Sequence, residues 1–378
     1  MLGNGSVLIA HPSADRYGSD LQLLETVSAL NGAGTPVTVV LPVDGPLVEL
    51  LRQRGAGVRV LPFPVLRKAA MRPRGFVILL GQLLRRLPRV VMTVRSSGAS
   101  VVMVNTVTIP WWLLAGRMAG RRTVCHVHEA EDSGPRLALR MLGLPILLAQ
   151  RVVVNSHASA KTLIDVTPRA RDRVQVVYNG VPGPQEPASP SRRADPSQPL
   201  NLVLVGRLSE RKGTDVALEA VARLRSDGRD VRLVLCGTAF EGYEWFERQL
   251  KNRAAAPDLA GAVEFRGYVS PTWSALAEAD VVIVPSRVEP FGNTAVEALL
   301  AERPLVASRT QGLAEIVDHG RTGLQVPPDD AEALSAALAT LADDPALARR
   351  LAAAGRADAE QRFSVAGYVT AVRKVVSA

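Results

Sequence analysis

The sequence predicts an α/β fold built from two doubly wound parallel-sheet domains. Short apolar runs rich in β-branched residues alternate with helical segments through the first half of the chain. A proline-rich segment at 183–199 interrupts this alternation, which then restarts. Strands that alternate with helices are typical of parallel sheets covered by helices on both faces. At 378 residues the chain is long enough for two domains, each with its own core.

The elements of the first half follow from hydrophobic periodicity. A helix is predicted at 18–31, where Leu21, Leu24 and Val27 recur at helical spacing, and another at 46–54. A long basic amphipathic helix is predicted at 75–95. Strands are predicted at 7–10, 35–41, 58–61, 100–104, 122–128 and 151–155.

The second half repeats the pattern after the proline-rich linker. Strands are predicted at 202–205, 231–235, 263–265, 281–284, 305–307 and 324–326. Helices are predicted at 214–226, 272–279, 329–341, 345–361 and 364–376. In folds of this class ligands bind beyond the carboxyl ends of the strands, so we expect the functional residues in the loops that follow them.

Composition narrows the protein class. The chain is 47% apolar and 21% charged, as globular proteins are, and Arg or Pro interrupts its apolar runs before they could span a bilayer. The first residues lack a basic segment and a cleavage site, so we do not expect secretion. Cys125 and Cys236 fall in different predicted domains, which excludes a disulfide framework and favours a reducing cytosol.

Charge is distributed unevenly along the chain. Residues 1–185 hold 22 Lys and Arg against 10 Asp and Glu, a net charge of +12, whereas the remainder holds 23 against 26, a net charge of −3. No acidic residue lies between Leu50 and His128. Such a basic face suggests an anionic partner, either lipid headgroups or nucleic acid, although an ordinary solvated surface is also consistent with it.

The segment 286–297 combines the end of a buried strand, a glycine-bearing loop and a helix start. The first turn of a helix presents unpaired N–H groups and attracts anions. Glu289 and Glu297 lie on either side of that turn. A ligand with both phosphates and hydroxyls would satisfy the amides and the carboxylates, and a nucleotide-sugar has this composition.

A second motif, Gly206-Arg-Leu-Ser-Glu-Arg-Lys-Gly213, follows the first strand of the second domain. Arg207 offers a planar fork of donors and Lys212 a point charge, which together suit a diphosphate. This loop alone is equally consistent with a solvated connection.

Together, Gly206-Arg-Leu-x3-Lys-Gly213 and Glu289-x7-Glu297, about eighty residues apart, resemble the retaining glycosyltransferases of family 4. The resemblance implies the GT-B architecture, in which two Rossmann-like domains face each other across a cleft. It also implies that the last helix crosses back onto the first domain. We therefore expect an acceptor-side domain at 1–182 plus 364–378, a linker at 183–199 and a donor-binding domain at 200–363.

The resemblance also assigns roles to matched positions. Arg207 and Lys212 would bind the donor diphosphate and stabilise the leaving nucleotide, Glu289 would hold hydroxyls of the donor sugar, and Glu297 would hold the ribose. His128 would face the donor sugar near its reacting centre. Further donor contacts are expected from Gly18, Gly206, Gly267, Phe291, Gly292, Asn293 and Thr294.

The turn after the first strand departs from the family pattern. The family commonly carries a Gly-Gly pair here, whereas this chain has Tyr17-Gly18-Ser19. Gly18 and Ser19 could still present amides at a helix start. Asp15, Arg16, Tyr17 and Ser19 would line the acceptor side.

Metal chemistry has little support in the sequence. His126 and His128 have the spacing of a ligand pair but lack a third ligand, and the chain contains no Asp-x-Asp pair. We therefore expect no metal and no other cofactor, with the nucleotide-sugar as a substrate.

The sequence thus predicts a cytoplasmic, retaining, metal-independent hexosyltransferase of polysaccharide or glycolipid synthesis. It would transfer a sugar to a hydroxyl acceptor that is lipid-linked or a glycan. The first-choice donor is a UDP- or GDP-sugar. The basic helix would dock on the inner membrane face or simply pack on the sheet. The rival hypotheses are a GT-B nucleotide-sugar epimerase or hydrolase, a nucleic-acid-binding protein and an inactive scaffold; few aromatics and no recognisable module argue against nucleic acid.

Overall fold

The computed structural model describes residues 5–66, 73–128, 143–185, 198–240 and 242–377. The chain divides into an N-terminal unit, formed by residues up to Gly180 and from Val365 onward, and a C-terminal unit, Val181–Ser364. Most of the predicted linker at 183–199 and the first basic residues after position 66 lie outside the described residues.

The N-terminal unit contains a seven-stranded parallel sheet in the order β3-β2-β1-β4-β5-β6-β7. Alternate residues of β1 and β4 join two separate hydrophobic clusters, so both faces of the sheet are buried. The strands are β1 (Val7–Ala10), β2 (Val37–Leu41), β3 (Gly57–Val60), β4 (Val101–Val104), β5 (Arg122–Val127), β6 (Arg151–Val154) and β7 (Val174–Val176).

Helices cover this sheet. The long helix α3 packs on α4, and α1 packs on the C-terminal helix of the chain, where the Tyr368 hydroxyl lies 2.6 Å from Thr26 Oγ1. The helices are α1 (Gly18–Asn31), α2 (Pro46–Gln53), α3 (Pro73–Ser96), α4 (Trp111–Met118) and α5 (His157–Val166), with 3₁₀ turns at Leu144–Leu148 and Pro168–Arg173.

The C-terminal unit has a six-stranded parallel sheet in the order β10-β9-β8-β11-β12-β13. Its strands are β8 (Leu200–Val205), β9 (Val231–Cys236), β10 (Val263–Gly267), β11 (Val281–Val284), β12 (Leu305–Ser308) and β13 (Leu324–Val326). Its helices are α6 (Thr214–Ser226), α7 (Glu244–Ala254), α8 (Trp273–Ala277), α9 (Asn293–Leu300), α10 (Leu313–Ile316), α11 (Ala331–Asp343) and α12 (Pro345–Arg362). The last helix, α13 (Val365–Ser377), belongs to the N-terminal unit.

The predicted pair of doubly wound parallel sheets is confirmed. Helices α1 and α6 begin and end where the spacing predicted, and no end of a predicted strand differs from the structure by more than two residues. The predicted strand at 122–128 was one residue too long, because β5 ends at Val127 and His128 is the first residue after it. The short strand β7 was not predicted, since three residues are too few for a periodic signal.

Neither cysteine is in a disulfide, and both are buried, one in each unit. No helix in the described ranges combines the length and apolarity needed to cross a membrane.

Candidate functional site

The two sequence motifs occupy neighbouring loops of the C-terminal unit. The loop 206–213 follows β8, and the loop 285–292 follows β11, which is hydrogen-bonded to β8. The carboxyl ends of parallel neighbours lie at the same edge of a sheet, so both loops open on that edge. The fold thus brings together segments about eighty residues apart.

These two loops touch through their backbones. Gly213 has φ +65°, and a Cβ built on it would lie 2.0 Å from the carbonyl oxygen of Pro285. The N–H of Arg287 donates to the carbonyl of Arg211 at 2.8 Å. Only glycine fits at position 213, because any side chain would meet backbone that belongs to the other motif.

Glu289 is 7% exposed and forms an ion pair with Lys212 Nζ. The Ser286 hydroxyl donates to the same carboxylate oxygen at 3.2 Å. Burial alone would raise the pKa of Glu289, but the charges of Lys212 and Arg211 and these hydrogen bonds outweigh it and hold the pKa below its usual value. Glu289 is therefore an ionised carboxylate at neutral pH.

The helix α9 begins directly after this loop. Gly292 precedes it with φ +122°, and Asn293 and Thr294 are its first two residues. Phe291 is buried, and its ring packs edge-on against Phe363 at 5.7 Å between centroids. Because Phe291 is anchored in this way, the helix start, whose first-turn amides attract an anion, is held in position.

Glu297 lies one turn into α9 and is partly buried. The hydroxyl of Thr272, next to α8, donates to Glu297 Oε2 at 3.0 Å. Burial raises the pKa of Glu297 to about 7, and the Thr272 hydrogen bond and the charge of Lys212 offset only part of that effect. The carboxyl group of Glu297 therefore gains or loses its proton in the neutral pH range.

Three more predicted donor contacts, Gly206, Arg207 and Gly267, lie at or just after strand ends of the same unit. Gly206 directly follows β8, and a Cβ there would lie 3.6 Å from the side chain of Lys212. Arg207 stacks on Phe240, with its guanidinium carbon 3.4 Å from the ring centroid. Gly267 is the last residue of β10 and has φ +75°.

The N-terminal unit holds the other predicted residues. His128 follows β5 and its Nε2 lies 3.0 Å from Asn105 Oδ1. Tyr17 precedes α1, which begins with Gly18 and Ser19. Asp15 and Arg16 are exposed in the turn between β1 and α1. The turn therefore does end at a helix start, although the roles of these residues stay predictions.

Sequence reasoning missed Arg287. Its guanidinium donates to both carboxylate oxygens of Asp215, at 2.9 and 2.8 Å, and to Asp329 Oδ1 at 2.6 Å. It also donates to the carbonyl of Glu210 at 2.6 Å. Arg287 thus ties the second loop to the first loop and to the start of α6. An Arg within a recognised motif is the only signal that could have found it.

Two family models match the chain. The model described as glycosyltransferase family 4 matches residues 18–182, and the model described as glycosyl transferases group 1 matches residues 186–358. The chain belongs to the family 4 glycosyltransferases. The resemblance inferred from the two motifs is therefore confirmed, and both matched regions contain residues of the site described above.

Relatives and a solved structure agree with this family 4 assignment. Glycogen synthase of Mycobacterium tuberculosis is 34% identical over 53% of this chain and 48% of its own length. D-inositol 3-phosphate glycosyltransferase of Streptomyces avermitilis is 32% identical over 61% of this chain and 53% of its own length. The chain thus spans about half the length of these relatives. The Anabaena protein HepE, solved with UDP and glucose, superposes with a TM-score of 0.84 at 25% identity, covering 99% of this chain and 100% of HepE.

The GT-B fold class is confirmed by the two parallel sheets and by these similarities. Within the residues that the structure describes, no three His, Cys, Asp or Glu side chains are grouped as metal ligands would be.

Proposed function

We propose that this glycosyltransferase moves a sugar from a nucleoside diphosphate sugar to a hydroxyl acceptor with retention at the anomeric carbon. The observation that carries the proposal is the Lys212–Glu289 ion pair beside the first turn of α9. A cation for phosphate, a carboxylate for hydroxyls and a helix start for an anion meet there.

Each of these groups would bind a different part of the donor. Lys212 and Arg207 would bind the diphosphate, the carboxylate of Glu289 would accept hydrogen bonds from the sugar, and Glu297 would do the same for the ribose. Before the donor arrives, Lys212 neutralises Glu289. A diphosphate would share that lysine, so donor binding replaces part of an internal ion pair with two new charge-assisted contacts.

The chemistry we propose is substitution on one face of the sugar. The bond from the anomeric carbon to the phosphate oxygen breaks, and the bond to the acceptor oxygen forms on the same side. The acceptor proton passes to the departing phosphate oxygen. Lys212, Arg207 and the amides at Asn293 and Thr294 would stabilise the growing phosphate charge. Because these protein groups balance that charge, we propose that no metal is required.

The base of the donor is proposed as uracil ahead of guanine, because the HepE structures contain UDP and UDP-glucose. The acceptor is proposed as a lipid-linked or glycan hydroxyl in cell-surface polysaccharide or glycolipid synthesis.

A thermal-shift and turnover screen against UDP-, GDP-, ADP- and dTDP-sugars tests the proposal. A ligand that binds only the folded state raises the melting temperature, so one nucleotide class should stabilise the protein more than the others. With the preferred donor and an acceptor, NMR should show the same anomeric configuration in product and donor. Inversion of that configuration, epimerisation of the donor, or stabilisation by none of the four classes would contradict the proposal.

Donor affinity should depend on pH through Glu297. Ribose hydroxyls donate to the ionised carboxylate, so binding lowers a pKa that starts at about 7. The protonated fraction does not bind well, and the apparent Kd should fall about tenfold from pH 6 to pH 8, with proton release measurable by calorimetry in buffers of different ionisation enthalpy. In Glu297→Gln the affinity should be weaker and independent of pH over this range. An unchanged slope in that variant would assign the titration to another group.

We propose that the exposed face of α3 docks on an anionic, cytoplasmic membrane surface. Ile78, Leu84 and Met92 are each more than 60% exposed on this helix, and Arg85 and Arg89 are exposed beside them. Apolar side chains between arginines are typical of helices that lie in a membrane interface. Each basic residue there adds about 1 kcal/mol to the free energy of binding to an anionic surface.

The double variant Arg85→Glu/Arg89→Glu should lose binding to vesicles that contain anionic lipid, as measured by co-sedimentation at low salt. The matched control is Arg349→Glu/Arg350→Glu, which makes the same charge change on exposed residues of α12. Equal loss in both variants would show a net-charge effect, and binding of the wild type to neither anionic nor neutral vesicles would refute docking.

A further inference from the structure

A chain of hydrogen bonds runs through the carboxyl edge of the N-terminal sheet to His128. His11 follows β1, Asn105 follows β4 and His128 follows β5, and these three strands are consecutive neighbours in the sheet. His11 Nε2 lies 2.7 Å from Asp20 Oδ1, Asn105 Nδ2 lies 3.0 Å from His11 Nδ1, and Asn105 Oδ1 lies 3.0 Å from His128 Nε2. His11, Asp20 and Asn105 are all at most 2% exposed.

The first member of the chain is an ionised carboxylate. Besides His11, Asp20 accepts from the Ser13 hydroxyl at 2.6 Å and from the N–H of Tyr17 at 2.9 Å. Burial works to raise the pKa of Asp20, but the hydrogen bonds from His11, Ser13 and Tyr17 outweigh it and lower the pKa. An ionised Asp20 can only accept, so His11 Nε2 carries a proton and donates it.

The side-chain amide of Asn105 fixes the donor and acceptor of the next two hydrogen bonds. Its Nδ2 can only donate, so His11 Nδ1 accepts and His11 is the neutral Nε2–H tautomer. Its Oδ1 can only accept, so His128 Nε2 must carry a proton. The direction of every hydrogen bond from Asp20 to His128 therefore follows from the charge of Asp20 together with the orientation of the Asn105 amide.

A second imidazole favours the neutral form of His128, the last member of this chain of hydrogen bonds. The fully buried ring of His126 lies against that of His128, with centroids 4.0 Å apart and planes tilted by 43°. Burial lowers the pKa of His126 to about 3, and burial followed by the neighbouring His126 and His11 lowers the pKa of His128 well below its ordinary value. A neutral His128 with a proton on Nε2 bears a lone pair on Nδ1.

We propose that Asp20, His11 and Asn105 are positioning residues that hold His128 as the neutral Nε2–H tautomer. In this tautomer Nδ1 is a hydrogen-bond acceptor, a polarity that suits a hydroxyl of the sugar and not the phosphate. This use of Nδ1 rests on the proposed function, in which His128 faces the donor sugar, whereas the tautomer itself is a property of the protein alone.

Long-range ¹H–¹⁵N NMR of histidine-labelled protein reads the tautomer directly, and the chain has five histidines to assign. In the wild type, His11 and His128 should both be neutral with the proton on Nε2. In His11→Leu, which leaves every atom of His128 and Asn105 in place, the amide loses its orienting partner and His128 should become a mixture of both tautomers. The control Thr26→Val removes a different buried hydrogen bond from α1 and should leave His128 unchanged.

The isosteric variant Asn105→Asp provides a second test should His11→Leu fail to fold. Its carboxylate can only accept, so His11 should become doubly protonated between two carboxylates while His128 keeps its proton on Nε2. An Nδ1–H tautomer at His128 in the wild type would overturn the proposal. Retention of the pure Nε2–H tautomer in His11→Leu would overturn the part played by His11 and Asp20.

Activity distinguishes this inference from the proposed function. With the preferred donor, His11→Leu should lower kcat more than it raises KM, because the ring stays in place and only its hydrogen-bonding polarity is mixed. Should no sugar nucleotide be a substrate, the proposed function fails while the NMR result still decides the tautomer.

Discussion

Lys212→Ala should lower turnover on the order of a hundredfold or more. Removal of this ammonium takes away a charge that stabilises the leaving phosphate and leaves the buried carboxylate of Glu289 without its ion-pair partner. Two effects therefore add. The charge on the leaving phosphate is less stabilised in the transition state, and the pKa of Glu289 rises, which favours its protonated form. Steady-state kinetics with the donor from the nucleotide screen measure the loss.

Lys161→Ala is the matched control, because Lys161 forms an ion pair with Asp165 whose two side chains are 78% and 61% exposed. Such a pair contributes only about 0.3–0.5 kcal/mol on a helix, and this variant should keep normal turnover. Near-normal turnover in Lys212→Ala would remove Lys212 from the donor site. Circular dichroism would show whether Lys212→Ala fails to fold. In that case Lys212→Gln, which removes the charge but keeps a polar side chain only one atom shorter, would separate folding from catalysis.

Gly213→Ala should destabilise the C-terminal unit by about 2 to 5 kcal/mol. The left-handed backbone costs alanine about 1–2 kcal/mol, and the overlap of its Cβ with the Pro285 carbonyl adds about 1–3 kcal/mol of overpacking. The displaced loop also carries Lys212 away from Glu289. Chemical denaturation of wild type and variant measures the difference in unfolding free energy.

Gly228→Ala isolates the backbone part of that effect. Gly228 has φ +79° and no atom within 4 Å of a built Cβ. Its substitution should therefore cost about 1–2 kcal/mol and leave activity unchanged. Equal destabilisation at the two positions would mean that the two loops separate easily, and that the contact between Gly213 and Pro285 is not a constraint on the site.

Much of the fold was predictable because each element carries its own local signal. The pattern of β-branched runs defined the parallel strands, and the helix at 214–226 was predicted to the residue. The chemistry of the C-terminal site was predictable for a similar reason: its residues lie within two short motifs. What the motifs did not reveal was that Lys212 and Glu289 pair directly, since that contact depends on β8 and β11 being neighbours.

The interactions that the sequence did not reveal are those made between distant segments. Arg287 bonds to Asp215 and Asp329 across separate loops, and nothing in its immediate sequence indicates these partners. The same holds for His11 and Asn105, which are 94 positions apart and meet only because their strands are adjacent. The pKa of Glu297 likewise depends on burial, which a sequence motif does not define.

The chain leaves the N-terminal unit after Gly180 and returns to it at Val365. The N–H of Val181 donates to the carbonyl of Phe363 at 3.0 Å, so the two ends of the C-terminal unit are joined by a hydrogen bond. In genetic terms, residues 181–364 are an inserted domain. Because its two ends lie side by side, its insertion costs the N-terminal unit little chain entropy. Recombination between related genes could exchange this inserted domain as one piece. A truncation after Gly180, by contrast, would remove the last helix of the N-terminal unit.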